Sequence, residues 1–160
     1  MRNIKRIFIH CTASYQETYS DKSLVNYFKN TLGWKNPGYH YVIRPDGTIF
    51  NMLPEDKISN GVSGYYNPTS INIAYVGGVT KEHPKGIDNR TRPQIEALCD
   101  LLESLRKKYP NAYILGHRDI SPDKNGNGIV DSWERIKACP CFDAEIEYAY
   151  LNMGIKKPKD

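Results

Sequence analysis

Long apolar runs are missing from this sequence. Near the N-terminus only Ile7, Phe8 and Ile9 follow one another without a polar residue between them. A signal peptide needs an apolar run of roughly 7–15 residues, and a membrane span needs roughly 20. The sequence therefore predicts neither, and we expect synthesis in the cytoplasm without a signal peptide. We also expect the protein to be a monomer.

A strong excess of charge of one sign is also missing. The formal net charge is +4, and the basic residues are scattered along the chain, so no basic stripe indicates a nucleic-acid partner. Phenylalanine and tryptophan are scarce, with four and two residues against twelve tyrosines. A tyrosine ring with its polar tip suits a carbohydrate or peptide surface and equally the wet edge of a core. The length of 160 residues is typical of one globular domain.

The four cysteines do not form an obvious disulfide framework. Cys139 and Cys141 are separated by one residue, and a disulfide across that spacing is strained. In a reducing cytoplasm the cysteines are expected to be thiols or metal ligands.

Strand and helix patterns alternate along the chain. Short apolar runs predict strands, and the turn Arg-Pro-Asp-Gly at 44–47 predicts a hairpin, over residues 6–10, 39–43, 48–52, 70–76 and 112–115. Helical spacing and capping residues predict helices over residues 20–32, 91–108 and 143–154. The sequence therefore predicts an α/β fold. We expect a single domain over residues 1–154 with a central mixed β-sheet flanked by helices, and a disordered tail over residues 155–160.

Two histidines lie at the C-terminal ends of predicted strands. His10 ends the first strand and His117 follows the last one, and ligands bind at this edge of open α/β sheets. With Cys139 or Cys141 they form a set of three nitrogen and sulfur ligands that suits Zn²⁺ and leaves a fourth position open, as in catalytic zinc sites. Lys137 lies close enough in sequence to stabilise an anion that forms at the metal.

The segment between His117 and the cysteines contains a second candidate metal site. Residues 123–134 fit the twelve-residue calcium loop of EF-hands, with Gly128 at the sharp turn. The alternative is a polar surface turn, because Asn-Gly pairs mark turns with or without an ion. The calcium ligands predicted by this spacing are Asp123, Asn125, Asn127, Ile129 through its carbonyl, Asp131 and Glu134.

Taken together, these motifs resemble the zinc-dependent N-acetylmuramoyl-L-alanine amidases of the bacteriophage lysozyme and peptidoglycan recognition protein type. The resemblance covers about residues 4–145 and keeps the family's order of motifs. The segments that carry it are IFIHCTAS, GYHYVIRPDGTIF, TSINIAYVGG, GHRDIS and KACPCFD. The loop VSGYYNPTS lacks the histidine that relatives often carry there, and residues 122–134 look like an insertion.

The resemblance implies zinc on His10, His117 and Cys139, and a catalytic pair formed by Tyr39 and Lys137. It implies hydrolysis of the amide bond between N-acetylmuramic acid and L-alanine in peptidoglycan, after release or export of the protein to the cell wall. Candidate substrate contacts in the loop without the histidine are Tyr65, Tyr66 and Asn67.

Two other functions are compatible with the sequence. One is a non-catalytic peptidoglycan-binding module on the same fold, although such relatives are expected to lose the cysteine ligand. The other is a metal-free cysteine hydrolase that uses Cys139 or Cys141 with His117 as the base.

Overall fold

A computed structural model describes residues 1–159 of the chain. It contains five strands, β1 (Arg6–Cys11), β2 (Tyr41–Ile43), β3 (Ile49–Asn51), β4 (Ser70–Tyr75) and β5 (Tyr113–Gly116). They form one sheet with the order β3-β2-β4-β1-β5. β1 pairs in parallel with β4 and β5, β2 pairs in parallel with β4, and the β2–β3 hairpin is antiparallel. The predicted mixed sheet is therefore confirmed.

Helix α2 (Arg92–Lys108) covers one face of the sheet, and α3 (Ala144–Glu147) contacts β5. The longest helix, α2, is amphipathic and begins at a capping box formed by Thr91 and Gln94. The Thr91 hydroxyl accepts the main-chain N–H of Gln94, and the Gln94 side chain accepts the main-chain N–H of Thr91. Both N–H groups lack a partner within the helix and are satisfied in this way. The Gln94 side chain also donates hydrogen bonds to the carbonyls of Ile43 in β2 and Val76, the residue after β4. The α-helices are α1 (Asp21–Asn26), α2 (Arg92–Lys108) and α3 (Ala144–Glu147), and 3-10 turns span Asn67–Thr69, His117–Ile120, Ser132–Glu134 and Ala149–Leu151.

The two faces of β1 have different neighbours. Ile7 and Ile9 belong to the hydrophobic core that α2 covers, whereas Phe8 and His10 lie on the opposite face, where aromatic rings contact them. All six residues of β1 are buried, as expected for a central parallel strand with both faces covered. His10 is therefore buried on the face of β1 that is opposite the core covered by α2.

Two predicted helices are shorter than the sequence pattern suggests. The first α-helix ends at Asn26 and continues as a π-helical turn, Tyr27–Thr31. This wider turn contains Phe28, which is buried beside Trp34 and Tyr39.

The sequence pattern predicts that the last helix extends to about Gly154, but α3 ends at Glu147. The next residue, Tyr148, is buried and leaves helical geometry. Beyond it, the Asn152 side chain bonds to both main-chain groups of Ile114. Tertiary contacts therefore override the helical pattern here.

The end of the described chain lies against the sheet. Arg6 donates hydrogen bonds to the carbonyls of Pro158 and Lys159, at 3.2 and 3.3 Å. Asp160 lies outside the described residues, and the domain boundary at residue 154 stays a prediction. No helix within residues 1–159 has the length and apolar character that a membrane crossing requires.

Candidate metal centre

Parallel pairing of β1 and β5 brings the two predicted histidine ligands together. His10 lies near the C-terminal end of β1, and His117 follows directly after β5. Their Nδ1 atoms are 3.2 Å apart, and the Cys139 Sγ atom is 3.8 Å from His10 Nδ1. All three ligand atoms lie within 4.8 Å of one another. Two nitrogen ligands of one tetrahedral zinc ion are about 3.3 Å apart when each bond is about 2.0–2.1 Å, so the donor set fits zinc in both chemistry and spacing.

Main-chain hydrogen bonds place Cys139 beside the histidines. The Cys11 N–H donates to the Cys139 sulfur at 3.3 Å, and the Arg118 N–H donates to the Cys139 carbonyl at 2.9 Å. Pro140 packs on Gly116, where a Cβ atom would lie 2.7 Å from the proline ring. The cysteine segment is therefore held on the ends of β1 and β5, the same strands that supply the histidines.

Burial keeps both histidines in the neutral form that binds metals. Burial lowers the pKa of His10 to about 4, although its hydrogen bond to Asn72 acts in the opposite direction. Burial, together with the nearby His10 and Lys137, lowers the pKa of His117 to about 2. A neutral imidazole has a free lone pair at the nitrogen that lacks hydrogen, so neither histidine must lose a proton at neutral pH to act as a ligand.

Tyr39 lies against the candidate metal centre. Its half-buried ring has its centroid 5.2 Å from that of His10, and its hydroxyl donates a long hydrogen bond of 3.4 Å to the Cys11 carbonyl. Burial, with the nearby Cys139 and Cys11 thiols, raises the pKa of Tyr39 well above its usual value. The phenol is therefore protonated and available as a donor at neutral pH.

Lys137 lies in an exposed segment two residues before Cys139. Its positive charge contributes to the lowered pKa of both His10 and His117. The ammonium group is thus close enough to the two histidines to affect their charge, and it is accessible to solvent. Both properties are needed to stabilise an anion that forms at the centre.

The second cysteine of the pair faces a different group. The Cys141 sulfur is 3.9 Å from that of Cys11 and 3.5 Å from the Gly78 carbonyl. Its hydrogen bond with Cys11 and its burial raise the pKa of the Cys141 thiol far above the usual range. A thiol with so little tendency to ionise is a poor nucleophile, which argues against a cysteine hydrolase that uses Cys141.

The three candidate substrate contacts differ in exposure. Tyr65 has a ring that is 72% exposed. Tyr66 packs edge-on against Phe8 with a centroid distance of 6.0 Å, and Asn67 is buried with its amide bonded to both main-chain groups of Val62. Of the three, Tyr65 alone has an exposed ring, and it lies beside Lys5 and Arg6 at the start of β1, away from the strand ends that carry the metal centre. Asn67 stabilises its own loop.

The insertion forms a loop closed by its own side chains. Glu134 is buried, and its carboxylate accepts the main-chain N–H groups of Lys124, Asn125 and Asp131. The side-chain amide of Asn125 donates to the Asp131 carboxylate at 2.9 Å, and that of Asn127 does so at 3.0 Å. A calcium ion requires the oxygen atoms of these amides, and here those oxygens accept the main-chain N–H groups of Asn127 and Ile129.

The calcium site stays a prediction. If it is correct, calcium binds at millimolar concentration and raises the melting temperature of the wild-type protein but not that of the double variant Asp123→Asn with Asp131→Asn. Absence of calorimetric binding at that concentration would leave the loop as a turn.

One polar contact of the site was not predicted from the sequence. Asn72, in the middle of β4, has its Oδ1 atom 2.7 Å from His10 Nε2. The available signal was a single asparagine between two isoleucines in the strand SINIAYV. A polar side chain in a buried strand needs a partner, but the strand pattern alone does not identify that partner.

Known proteins share the sequence pattern and the fold of this chain. A family model described as N-acetylmuramoyl-L-alanine amidase matches residues 1–140. The endolysin of Enterobacteria phage K11 is 33% identical over 141 residues, which cover 88% of this chain and 82% of the phage protein. Peptidoglycan recognition protein 1 of Mus musculus is 26% identical over 126 residues, covering 72% of this chain and 64% of the mouse protein.

A solved endolysin structure shares the fold. This endolysin, from a Thermus scotoductus bacteriophage, has a TM-score of 0.66 at 25% sequence identity, and the match covers 98% of this chain and 88% of that chain. The strands and turns that place the two histidines therefore lie within an architecture already seen in an endolysin. Since the family model spans residues 1–140, the chain belongs to the N-acetylmuramoyl-L-alanine amidase family.

Proposed function

We propose that this chain hydrolyses the amide bond between the lactyl group of N-acetylmuramic acid and L-alanine in peptidoglycan, with zinc held by His10, His117 and Cys139. The observation that carries the proposal is the convergence of these three ligand atoms within 4.8 Å at the edge of the sheet. Three protein ligands leave a position for water or substrate, which is the pattern of catalytic rather than structural zinc. The site of action is then the cell wall.

Zinc bound there would lower the pKa of a bound water to about 7 and polarise a carbonyl group. The protein contributes the rest. The protonated Tyr39 hydroxyl can donate a hydrogen bond to the oxygen that gains negative charge, and Lys137 can stabilise the same charge from the solvent side. Such preorganised donors act only where charge develops, so they lower the barrier rather than tighten substrate binding.

The alternative is a peptidoglycan-binding module without catalysis. Relatives that bind peptidoglycan use the same architecture, and fold alone does not determine activity. The donor set favours the enzyme, because a pure binding surface has no need for a half-buried sulfur next to two neutral histidines and a protonated tyrosine.

Mass spectrometry of a defined muropeptide tests the proposal. We expect two products that together contain one added water, one of them a stem peptide with a free L-alanine amine. Cleavage inside the stem peptide or between sugars would contradict the proposed bond. Binding of the intact muropeptide without cleavage, by protein with full zinc content, would support the binding module.

A further inference from the structure

Asn72 is a fully buried polar side chain next to the metal centre. It lies on β4 opposite Phe8 of β1 and on the same face of the sheet as His10. Its Oδ1 atom is 2.7 Å from His10 Nε2, and its Nδ2 group donates to the Ser59 hydroxyl at 2.8 Å. Both ends of the amide are therefore occupied by polar side chains that are themselves buried.

The neighbouring His40 determines which atoms in this hydrogen-bond network are donors and which are acceptors. His40 Nδ1 accepts the main-chain N–H of Asn72 at 3.0 Å, and its Nε2 lies 3.0 Å from the carbonyl of Lys57. Because Nδ1 accepts a main-chain N–H, it has no hydrogen, and Nε2 is the donor to the carbonyl. The Arg2 guanidinium nitrogen that lies 3.3 Å from Nε2 donates its hydrogens to the carbonyls of Glu55 and Lys57, each at 2.8 Å. Ser59 Oγ lies 3.2 Å from the same Nδ1, so its hydroxyl donates to His40, and its oxygen is left to accept the Asn72 amide.

Because the Ser59 oxygen is an acceptor, it determines the orientation of the Asn72 side-chain amide. With Nδ2 donating to Ser59, Oδ1 faces His10 and can only accept. His10 must then have its hydrogen on Nε2, which leaves the lone pair of Nδ1 exposed toward His117 and Cys139, at 3.2 and 3.8 Å. The network therefore selects the tautomer of His10 that presents the ligand atom to the centre.

We propose that Asn72, oriented by Ser59 and His40, is a positioning residue that holds His10 in the Nε2–H tautomer and so prepares Nδ1 to bind the metal. The inference rests on the zinc site of the proposed function. A ligating histidine commonly donates its second N–H to such a partner, and loss of that partner typically lowers metal affinity about 10–100-fold. His10 and Ser59 reach Asn72 from opposite ends, so the orientation of the amide is the property that matters.

A simpler role for Asn72 is to fill space. Its amide packs against Gly61, where a Cβ atom would lie 2.5 Å from Asn72 Cγ. Packing requires only volume, whereas selection of a tautomer requires an acceptor. Leucine keeps the approximate volume and removes the acceptor, and aspartate keeps an acceptor. The two substitutions therefore separate the two roles.

The test is the tautomer of His10 in ¹⁵N-labelled, metal-free protein at pH 7, read from long-range ¹H–¹⁵N correlations, together with zinc affinity from competition with a chelator. We expect the Nε2–H tautomer in the wild type and in Asn72→Asp. In Asn72→Leu we expect a mixture of tautomers and a 10–100-fold weaker zinc affinity. The control is Asn152→Leu, since Asn152 is a buried asparagine that bonds the Ile114 main chain, and it should leave both readouts unchanged.

An unchanged tautomer with zinc affinity within threefold of wild type in a folded Asn72→Leu variant would overturn the proposal. Equal losses in Asn72→Leu and Asn152→Leu would overturn it as well, since they would indicate general destabilisation. If Asn72→Leu does not fold, Ser59→Ala replaces it. That variant frees the far end of the amide and should weaken zinc binding at least threefold, and unchanged affinity would overturn the proposal. Neither readout requires hydrolysis, so failure here is distinguishable from failure of the proposed amidase activity.

Discussion

Replacing Tyr39 by phenylalanine separates a role in chemistry from a role in folding. The hydroxyl makes one long hydrogen bond, 3.4 Å to the Cys11 carbonyl, whereas ordinary hydroxyl–oxygen bonds are about 2.7–2.8 Å long. The ring contacts with His10 and Phe28, at centroid distances of 5.2 and 5.4 Å, remain available to phenylalanine. We therefore expect the free energy of unfolding to fall by less than about 1 kcal/mol.

The effect on catalysis should be much larger. Loss of one preorganised donor to a developing oxyanion typically costs about 10²–10³ in kcat, or roughly 3–4 kcal/mol. We expect Tyr39→Phe to keep its zinc and to hydrolyse a defined muropeptide at least tenfold more slowly at saturating substrate. The assay combines turnover, zinc content and thermal unfolding of the same preparation.

The matched control is Tyr41→Phe. Tyr41 lies two residues away in β2, and its hydroxyl donates to the Glu55 carboxylate, away from the metal centre. This variant should lose stability but keep its turnover. Near-normal turnover of Tyr39→Phe would refute the proposed role of its hydroxyl, and so would a loss of zinc that accounts for the whole decrease in rate.

The remaining predictions concern the metal, the exposed cation and a buried histidine. Cys139→Ala should lose zinc and activity, whereas Cys141→Ser should keep both; the reverse result in elemental analysis would contradict the ligand assignment. Lys137→Ala should fold and bind zinc normally but turn over at least tenfold more slowly, and near-normal turnover would make it an ordinary surface charge. Burial lowers the pKa of His40 to about 4 from 6.5, so the unfolded state binds the extra proton between these values. The contribution of His40 to the free energy of unfolding should fall by about 1.4 kcal/mol per pH unit below about pH 6.5, or roughly 3 kcal/mol down to pH 4. In chemical denaturation, His40→Gln should lose this part of the pH dependence and keep the part that comes from His10 and His117.

The edge of the sheet that carries the site could be predicted from local patterns. Short apolar runs located β1 and β5, and each run is followed or ended by a histidine. Since the C-terminal ends of parallel strands meet, the contact between His10 and His117 followed from the sequence although 106 residues lie between them. Helix α2 was equally predictable, because its capping box is a local signal.

The choice between the two cysteines could not be made from spacing. Cys139 and Cys141 are equally near the site in sequence, and what separates them is long-range packing. Main-chain N–H groups after β5 and in β1 hold Cys139, while Gly78 leaves room for the sulfur of Cys11 beside that of Cys141. Family resemblance, not periodicity, indicated Cys139.

The hydrogen-bond partners that orient His10 could not be predicted from the sequence either. Asn72 and Ser59 come from different segments, and only the folded chain brings them together. A strand pattern identifies which face a residue occupies, but not which polar side chain lies across from it. The same limit applies to the early end of α3, where burial of Tyr148 overrides a helical pattern.

Zinc content measured together with hydrolysis tests the central claim most directly. We expect one zinc ion per chain in active protein, loss of hydrolysis when a chelator removes the zinc, and recovery when zinc is returned. The variant His117→Ala should show neither bound zinc nor recovery. Hydrolysis that continues at the wild-type rate in protein shown to contain no zinc would contradict the claim that His10, His117 and Cys139 form the catalytic metal centre.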